Sequence, residues 1–360
     1  MAVGGLFSGV GGIELGFNQA GYDVAWANEM DDRAAQTYES IHGHPLAYNY
    51  PIEQLIENLN NREVELEPVE VLVGGFPCQA FSVAGYRRGF EDERGNVFFR
   101  IIEILEYFQN MGQEHMPRAL LLENVKNFRT HDECRTYNTC VEELNDLGYS
   151  VFTRIMNTCE YSDVPQNRER TFMCCFLGEN AWNDETLNNE ERAELCQTTQ
   201  AFSNNFPDVL EDTRTIQELL SDIAPDDFYY GRDKAMYDML VRDITRVDTI
   251  YQYRRVYVRE NQSNQCPTLT ANMGTGGHNV PLIRTPENHP NRMFRKLTPK
   301  ECFLFQGYPP NIQLPEIANC HLYKQAGNSV SVPVIRKLAE RIRVALDHEI
   351  VDQADIQEIA

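Results

Sequence analysis

The sequence lacks the features of several large protein classes. None of its hydrophobic runs approaches 18 residues, so we expect no membrane-spanning helix. Its 10 cysteines include no Cys-x-x-Cys pair, which argues against a zinc site and predicts free thiols in a reducing compartment. The first twelve residues lack the basic segment of a secretory signal peptide. Together these absences predict a cytoplasmic protein without a metal or a membrane anchor.

Positive charge is also scarce. The 360 residues include 32 Lys and Arg against 54 Asp and Glu, for a net charge of −22, whereas proteins that bind nucleic acid usually carry a basic face. The distribution is uneven, because residues 181–230 hold twelve acidic residues and two arginines, whereas residues 251–300 hold eight basic residues and two acidic ones. For a charge run taken alone a solvated surface is the simpler explanation, and a local basic binding surface is the alternative.

Alternating strand and helix patterns predict the fold of the first half. Apolar runs of strand length alternate with segments whose apolar residues have helical spacing, as far as Gly178. This order predicts an α/β protein with a mostly parallel, Rossmann-like sheet and helices on both faces. Beyond Gly178 the periodicity weakens, and a clear helix closes the chain. We therefore predict one domain of residues 1–178 and 319–360, and a smaller irregular domain of residues 179–318.

Two of the predicted strand ends suit a cofactor, since parallel sheets bind ligands at the carboxyl ends of their strands. Gly9, Gly11 and Gly12 follow the first strand, where they permit a tight turn and a close approach of a ligand to the backbone. Glu29 follows the second strand, 17 residues past Gly12, near the spacing at which an acid contacts ribose hydroxyls. A nicotinamide or flavin site is the alternative, but its fingerprint needs a third glycine where this chain has Glu14.

Two further strand ends suit covalent chemistry. Cys78 follows the third strand directly after Pro77, which restrains the backbone, and a thiolate is a strong nucleophile. Glu123 ends the fourth strand and can move a proton if burial raises its pKa. Arg168 and Arg170 stand two apart on an extended run, so they project to one side and suit an anion or a carbonyl. Taken singly, a buried inert cysteine and surface ion pairs are the simpler explanations.

Nine segments, in this order along nearly the whole chain, resemble the motifs of the bacterial DNA (cytosine-5) methyltransferases. They are LFSGVGGIELGF, ANEMD, GGFPCQAFSVAG, DERGNVFF, LLLENV, VPQNRER, CPTLTANMGTGG, RKLTPKECFLFQGYP and YKQAGNSVSVPV. The resemblance implies transfer of a methyl group from S-adenosylmethionine to C5 of a cytosine flipped out of duplex DNA.

The resemblance assigns roles to the residues of the reaction site. In this family the cysteine of FPCQ attacks C6 of the cytosine, so Cys78 would be the nucleophile. Glu123 would contact N3 and the exocyclic amine, Arg168 would bind O2, and Arg170 would hold its neighbours in place. Loss of the C5 proton would then expel Cys78.

The resemblance also implies two sets of binding residues. Phe7 and Val97 would pack on the adenine, Glu29 would bind the ribose, and Asn328 would bind the methionine end. The full cofactor set is Phe7, Ser8, Gly9, Val10, Gly11, Gly12, Glu29, Met30, Ile52, Pro77, Val97, Asn328 and Ser329. The DNA-binding set is Gln79, Ser82, Gln166, Arg254, Arg255, Thr268, Thr270 and Arg292, with base readout expected from residues 230–280.

The chain departs from the family pattern at three positions. Gly5 replaces an acid that often precedes the LF of the first motif, and Asp163 stands where the family prefers Gly. Pro51 occupies the place of an Asp that bonds the adenine amino group. Proline has neither a side-chain acceptor nor an N–H, so the sequence leaves that contact without an obvious partner.

Two other functions compete with this interpretation. A tRNA methyltransferase of the same fold is the first, but those relatives carry a Cys-Phe-Thr signature and a different recognition segment. A catalytically silent DNA-binding module is the second, and it would not need Cys78, Glu123, Arg168 and Arg170 together. Double-stranded DNA is the expected partner of a monomer, and a cognate restriction endonuclease is a further candidate partner.

Overall fold

The computed structural model describes residues 1–76, 97–178, 206–210, 212–275, 279–286 and 291–359, with only the backbone described from residue 348 onward. Six strands of the described chain form the main sheet. In sheet order they are β2 (Asp23–Ala27), β1 (Ala2–Leu6), β3 (Val71–Gly75), β4 (Ala119–Val125), β7 (Glu169–Leu177) and β5 (Tyr149–Asn157). Strands β1 to β4 are parallel, and β7 runs antiparallel to both of its neighbours. The predicted mixed α/β fold with a mostly parallel sheet is confirmed.

The helices in the described residues alternate with the strands. They are α1 (Gly12–Gln19), α2 (Asp32–His42), α3 (Ile52–Asn60), α4 (Val97–Met111), α5 (Arg135–Asp146), α6 (Thr158–Tyr161), α7 (Tyr237–Asp243), α8 (Pro299–Leu304), α9 (Asn319–Asn328) and α10 (Val332–Ile359). None of the helices that the structure describes is both long enough and apolar enough to span a bilayer.

Two hydrophobic cores cover the two faces of the sheet. One face packs against α3, α4 and α5, through residues such as Leu55, Ile101 and Leu144. The other face packs against α1 and the closing helix α10, through Phe17 and Leu338. Burying each such side chain contributes about 1.5–3 kcal/mol, so both layers hold the strands, and with them the strand ends, in a fixed arrangement.

A second, antiparallel sheet lies in the later part of the chain. Its order is β12 (Phe294–Lys296), β11 (Val280–Arg284), β8 (Tyr251–Tyr253) and β9 (Val258–Arg259). A short strand β10 (Cys266–Pro267) leaves this region to pair with β6 (Gln166–Asn167). A third core joins Val10 and Val164 to Leu269 and Phe303. The described parts of the two predicted domains therefore share side-chain packing, and the boundaries at 178 and 318 stay a prediction.

A buried ion pair fixes this later region. Arg295 and Glu301 are 1% and 0% exposed, and the guanidinium donates to both carboxylate oxygens, at 2.8 and 2.7 Å. The backbone N–H groups of Ser221 and Thr298 also donate to Glu301, at 2.8 and 2.7 Å. The Ser221 carbonyl accepts from Arg295 at 2.9 Å. The pair thus connects three chain segments and satisfies most of its own polar atoms.

We predict that Glu301→Gln lowers the free energy of unfolding by about 3–5 kcal/mol, because it leaves the Arg295 charge buried and unpaired. Urea unfolding followed by circular dichroism measures the change. The matched control is Glu340→Gln, which breaks an exposed pair with Arg336 and should cost less than about 1 kcal/mol. Equal losses in the two variants would contradict the assignment.

Candidate active site

Glycines shape the loop between β1 and α1. Gly9 and Gly11 have φ of 56° and 76°, and Phe7 has the unusual value of 55°, which costs a non-glycine residue strain energy. A Cβ on Gly11 would overlap Nε2 of His42, whereas a Cβ on Gly9 would meet no described atom within 4 Å. The side chain of Val10 points into the protein and is buried. The loop is therefore packed tightly on its inner side and open beside Gly9.

The carboxylate of Glu29 holds this loop from the end of β2. Its Oε2 accepts from the N–H of Gly9 at 2.9 Å. Its Oε1 accepts from the N–H groups of Met30 and Asp31, at 2.9 and 2.8 Å. A carboxylate offers about four acceptor positions, so one remains for a ligand hydroxyl. The Met30 side chain is exposed.

Three apolar residues of the predicted cofactor set lie along one core. Ile52 begins α3 and is buried, while Phe7 and Val97 are partly buried against the same group of side chains. Their elements differ, since Phe7 follows β1, Ile52 begins α3 and Val97 begins α4. Residues 45 to 90 positions apart thus belong to one core on this face of the sheet.

The end of α9 closes the other side of the loop. The hydroxyls of Ser329 and Tyr308 are 2.7 Å apart, and both are buried. A Cβ on Gly12 would lie 2.8 Å from the Ser329 Oγ and 2.6 Å from the Tyr308 hydroxyl, so only glycine fits there. Asn328 is the last residue of α9 and is exposed.

Glu123 and Arg170 form an ion pair beside the end of β3. Nε of Arg170 lies 3.0 Å from Oε1 of Glu123, and the two side chains are 17% and 12% exposed. In the sheet Glu123 pairs with Gly75, the last residue of β3. Burial raises the pKa of Glu123, although the guanidinium groups of Arg170 and Arg168 partly oppose the shift. The carboxyl group can therefore carry a proton more readily than an exposed glutamate.

Arg168, which the resemblance would place on the cytosine O2, is surrounded by backbone carbonyls. It is 2% exposed; its guanidinium donates to the carbonyls of Leu269 and Gly327, at 3.0 and 3.2 Å, and to that of Ser329. Burial and the nearby Arg170 lower its pKa to about 9, so it remains a cation at neutral pH. These bonds direct both terminal nitrogens of Arg168 at the backbone, while its buried Nε has no hydrogen-bond partner among the described residues. Arg170, by contrast, lies beside Glu123.

The segment that carries the nucleophile begins at a well-held residue. The Asn124 side chain donates to the Phe76 carbonyl at 3.0 Å. The buried Phe76 ring contacts the rings of Phe98 and Phe128, with centroids 5.6 and 5.4 Å apart. Four of the predicted residues lie outside the described residues, namely Pro77, Cys78, Gln79 and Ser82.

Gln166 is not placed to read DNA, contrary to our expectation. It is fully buried, and its amide donates to the carbonyl of Phe305 and to Oε1 of Gln306, the latter at 3.2 Å. Its own oxygen accepts from the N–H of Leu269 at 3.3 Å. Since both ends of the side chain are used internally, Gln166 joins the third core rather than a DNA surface.

The remaining predicted DNA residues differ in their surroundings. Arg254 and Arg255 lie on the hairpin between β8 and β9, where Arg254 donates to Asn279 and Arg255 is exposed. Arg292 pairs with Asp226 at 2.8 Å and lies 5.5 Å from the ring centroid of Tyr229. The ion pair of Arg292 with Asp226 agrees with the simpler explanation, in which basic side chains offset acidic ones on the protein surface.

Two threonines of the recognition segment bond to nearby residues. The hydroxyl of Thr268 donates to the Asn167 carbonyl at 2.6 Å, and that of Thr270 donates to Asn272 at 2.8 Å. Both residues are only partly buried, so the neighbouring surface remains open to a partner.

Sequence reasoning missed one acidic group. Glu14 is the third residue of α1 and is 1% exposed, and burial raises its pKa to about 7. In the sequence it stands out only as the residue that breaks a nicotinamide fingerprint. The available signal was an acid within the apolar face that Ile13 and Phe17 define.

The arrangement of the strand ends is that of a known class of enzyme. A glycine loop is followed by an acid at the position that contacts ribose, and a buried glutamate and an arginine lie at the following strand ends. This arrangement is typical of enzymes that bind a nucleoside cofactor on a Rossmann-like sheet. Residues 1–344 match the family model described as C-5 cytosine-specific DNA methylase. The chain belongs to this family and is a DNA (cytosine-5) methyltransferase.

Named relatives agree with this assignment. The chain is 45% identical to the Type II methyltransferase M.Bsp6I of Bacillus sp. (strain RFL6), over 95% of this chain and 98% of the relative. It is 30% identical to the Type II methyltransferase M.HhaI of Haemophilus parahaemolyticus, over 95% and 94%. In fold it is similar to the S. pombe Dnmt2 methyltransferase, with a TM-score of 0.66 at 18% identity and coverage of 96% and 99%.

Glu14 should make stability depend on pH. Its folded pKa of about 7 lies above the ordinary value of 4.5 for a glutamate, so the folded state binds the extra proton and loses stability as pH rises from about 4.5 through about 7. The full loss is roughly 3 kcal/mol at 1.36 kcal/mol per pKa unit. Glu14→Gln should match the wild type near pH 5 and exceed its stability at pH 8. Parallel urea midpoints across this range would contradict the shift.

Substitutions of Arg168 and of Arg170 should affect stability and methyl transfer differently. Arg168→Lys should lower the free energy of unfolding by about 2–4 kcal/mol, because two separate nitrogens of the guanidinium reach the three carbonyls and the single ammonium nitrogen of lysine cannot take both positions. Arg170→Lys keeps the charge beside Glu123 and should cost much less stability while slowing methyl transfer. Urea unfolding and a methyl-transfer assay on both variants test this. A stability loss as large in Arg170→Lys would contradict it.

Proposed function

We propose that this enzyme transfers the methyl group of S-adenosylmethionine to C5 of a cytosine flipped out of a specific duplex DNA sequence, through a covalent bond between Cys78 and C6. The observation that supports it most is the pair of Glu123 and Arg170, beside the strand end that leads to Cys78. A buried acid next to a guanidinium suits a base that must be protonated on one atom and held at a neighbouring carbonyl.

The residues present fit the proposed cofactor. An adenosine would suit three features near the glycine loop. They are the open space beside Gly9, the free acceptor position of Glu29, and the apolar core that includes Phe7, Ile52 and Val97. When bound, S-adenosylmethionine supplies an electrophilic methyl group. The residues of the chain have the other tasks, which are to activate the cytosine and to hold it.

The thiolate of Cys78 attacks C6 and forms a carbon–sulfur bond. The ring electrons move toward N3, where protonated Glu123 supplies the proton, and Arg170 donates hydrogen bonds to O2. C5 thereby becomes an enamine-like nucleophile and takes the methyl group. Loss of the C5 proton to water restores the ring double bond and expels the Cys78 thiolate, and the N3 proton returns to Glu123.

DNA recognition is proposed for the later sheet. Residues 230–280 would read the bases, including Thr268 and Thr270, and the exposed Arg255 on the β8–β9 hairpin would contact phosphates. The net charge of −22 repels DNA, so the attraction must be local. Arg254 would support the hairpin from its contact with Asn279.

The setting of the enzyme is proposed on similar grounds. Every cysteine among the described residues is a free thiol, which fits a reducing cytoplasm. We propose a monomer that acts on cellular DNA, with a restriction endonuclease of the same target as a candidate partner. Separate domains of residues 1–178 with 319–360, and of 179–318, remain part of this proposal.

Labelled methyl transfer tests the proposal. The purified chain should transfer label from S-adenosylmethionine to duplex DNA and not to tRNA. Duplex DNA with 5-fluorocytosine at the target should form a covalent complex that survives denaturing electrophoresis, because fluorine cannot leave as a proton does.

Cys78→Ala is the matched control for this experiment. It should abolish turnover and the covalent complex while it retains DNA binding, since the thiol acts in chemistry and not in docking. A covalent complex of equal yield in Cys78→Ala would show that the nucleophile is elsewhere. Transfer to tRNA in preference to DNA would overturn the proposed substrate.

A further inference from the structure

A histidine lies directly behind the glycine loop. His42 is the last residue of α2, and its Nε2 lies 3.1 Å from the carbonyl oxygen of Gly11. A carbonyl oxygen can only accept, so this ring nitrogen carries the hydrogen. A Cβ on Gly11 would overlap the same nitrogen. The contact therefore exists only because position 11 has no side chain, and the glycine and the histidine form a fitted pair.

The imidazole ring of His42 is held in one orientation. The buried ring of Tyr38, one turn earlier on α2, stacks on it with centroids 4.1 Å apart and an angle of 18° between the planes. Burial, with a smaller contribution from His44, lowers the pKa of His42 to about 4. The ring is therefore neutral at physiological pH and has a single N–H, which is directed at Gly11.

The helix that carries His42 is tied to the other side of the predicted cofactor site. The Thr37 hydroxyl donates to Oε1 of Gln325 on α9 at 2.8 Å, and Nε2 of Gln325 donates to the Arg33 carbonyl at 2.9 Å. Helix α9 ends at Asn328, which the resemblance assigns to the methionine end of the cofactor. His42 thus joins the glycine loop to a helix whose place relative to that end is fixed.

The hydrogen bond from His42 orients one peptide unit of the loop. The Gly11 carbonyl and the Gly12 N–H belong to a trans peptide, in which they point in opposite directions. The carbonyl is held by His42 and also by the N–H of Leu15, at 2.9 Å, so the Gly12 N–H points away from both. Gly12 is the first residue of α1, and such an N–H has no acceptor within its own helix. It is directed out of the helix, at the strand ends where a parallel sheet binds its ligands.

We propose that His42 is a positioning residue for S-adenosylmethionine, a role that rests on the cofactor named under the proposed function. The imidazole acts through Gly11, because it keeps the glycine loop in the shape that leaves the space beside Gly9 open. The simpler explanation is that the ring only fills space between α2 and the loop. A phenylalanine would fill that space equally well but cannot donate a hydrogen bond, and this difference decides between the two explanations.

Calorimetric titration with S-adenosylhomocysteine tests the role of His42. His42→Phe removes the donor and should weaken binding by about threefold to tenfold, the worth of one neutral hydrogen bond. His42→Gln places an amide N–H near the former Nε2 and should recover most of the affinity. The matched control is His44→Phe, which should bind as the wild type does. His44 is exposed, and its Nδ1 lies 3.1 Å from the carbonyl oxygen of the adjacent Pro45.

Steady-state methyl transfer to DNA gives a second readout. In His42→Phe the KM for S-adenosylmethionine should rise by a factor similar to that of the calorimetric Kd, whereas kcat at saturating cofactor should change much less, because the loop serves cofactor binding. The melting temperature of each variant without ligand should stay close to that of the wild type. A loss of affinity that accompanies a large fall in melting temperature would show a structural role and would count against the proposal.

The remaining outcomes also decide the question. Wild-type affinity in His42→Phe, or an equal loss in His42→Phe and His42→Gln, shows that the ring only fills space. A loss of the same size in His44→Phe shows that the effect does not come from the contact with Gly11, and it overturns the proposal as well. If the wild type itself does not bind S-adenosylhomocysteine, the proposed cofactor fails and the positioning role fails with it.

Discussion

The buried guanidinium of Arg168 is the interaction on which the arrangement of the site depends. A cation that is 2% exposed must be compensated, and here the compensation comes from the backbone carbonyls of Leu269, Gly327 and Ser329. These carbonyls belong to the recognition segment and to the end of α9. The cation therefore draws the start of β7 to both regions, and it leaves Arg170, two residues further on, to meet Glu123. One arginine organises the backbone, and the other forms the ion pair with Glu123.

The loop above β1 works under a complementary constraint, which is an excess of acceptors. Glu29 is satisfied by three backbone N–H groups, whereas Glu14 has an oxygen without a donor. Burial raises the pKa of Glu14 to about 7, so near neutral pH a proton can occupy this carboxyl group and reduce the cost of its burial. The strained φ of Phe7 belongs to the same loop, and such strain persists only where the surrounding structure holds the backbone.

The sequence predicts the fold and the positions of the strand ends, because both follow from local periodicity. It places the glycine turn, Glu29, Glu123 and the helix α10 correctly along the chain. It does not predict partners across the structure. The different surroundings of Arg168 and Arg170, and the burial of Gln166, depend on which distant carbonyls pack against β6 and β7. The burial of Glu14 depends on a similar contact, since its carboxylate lies in the space that a side chain at Gly5 would take.

The division of labour between the two sheets explains how an acidic chain can act on DNA. The parallel sheet supplies the chemistry through groups whose charges are mutually compensated, such as Glu123 with Arg170. In the later region Arg295 forms an ion pair with Glu301, and Arg292 forms one with Asp226. Under the proposed function, exposed arginines of the β8–β9 hairpin such as Arg259 would supply the attraction to phosphate. The described contacts of Arg168 go to Leu269, Gly327 and Ser329, so substitutions on the hairpin would change the proposed DNA contacts without removing a partner of Arg168.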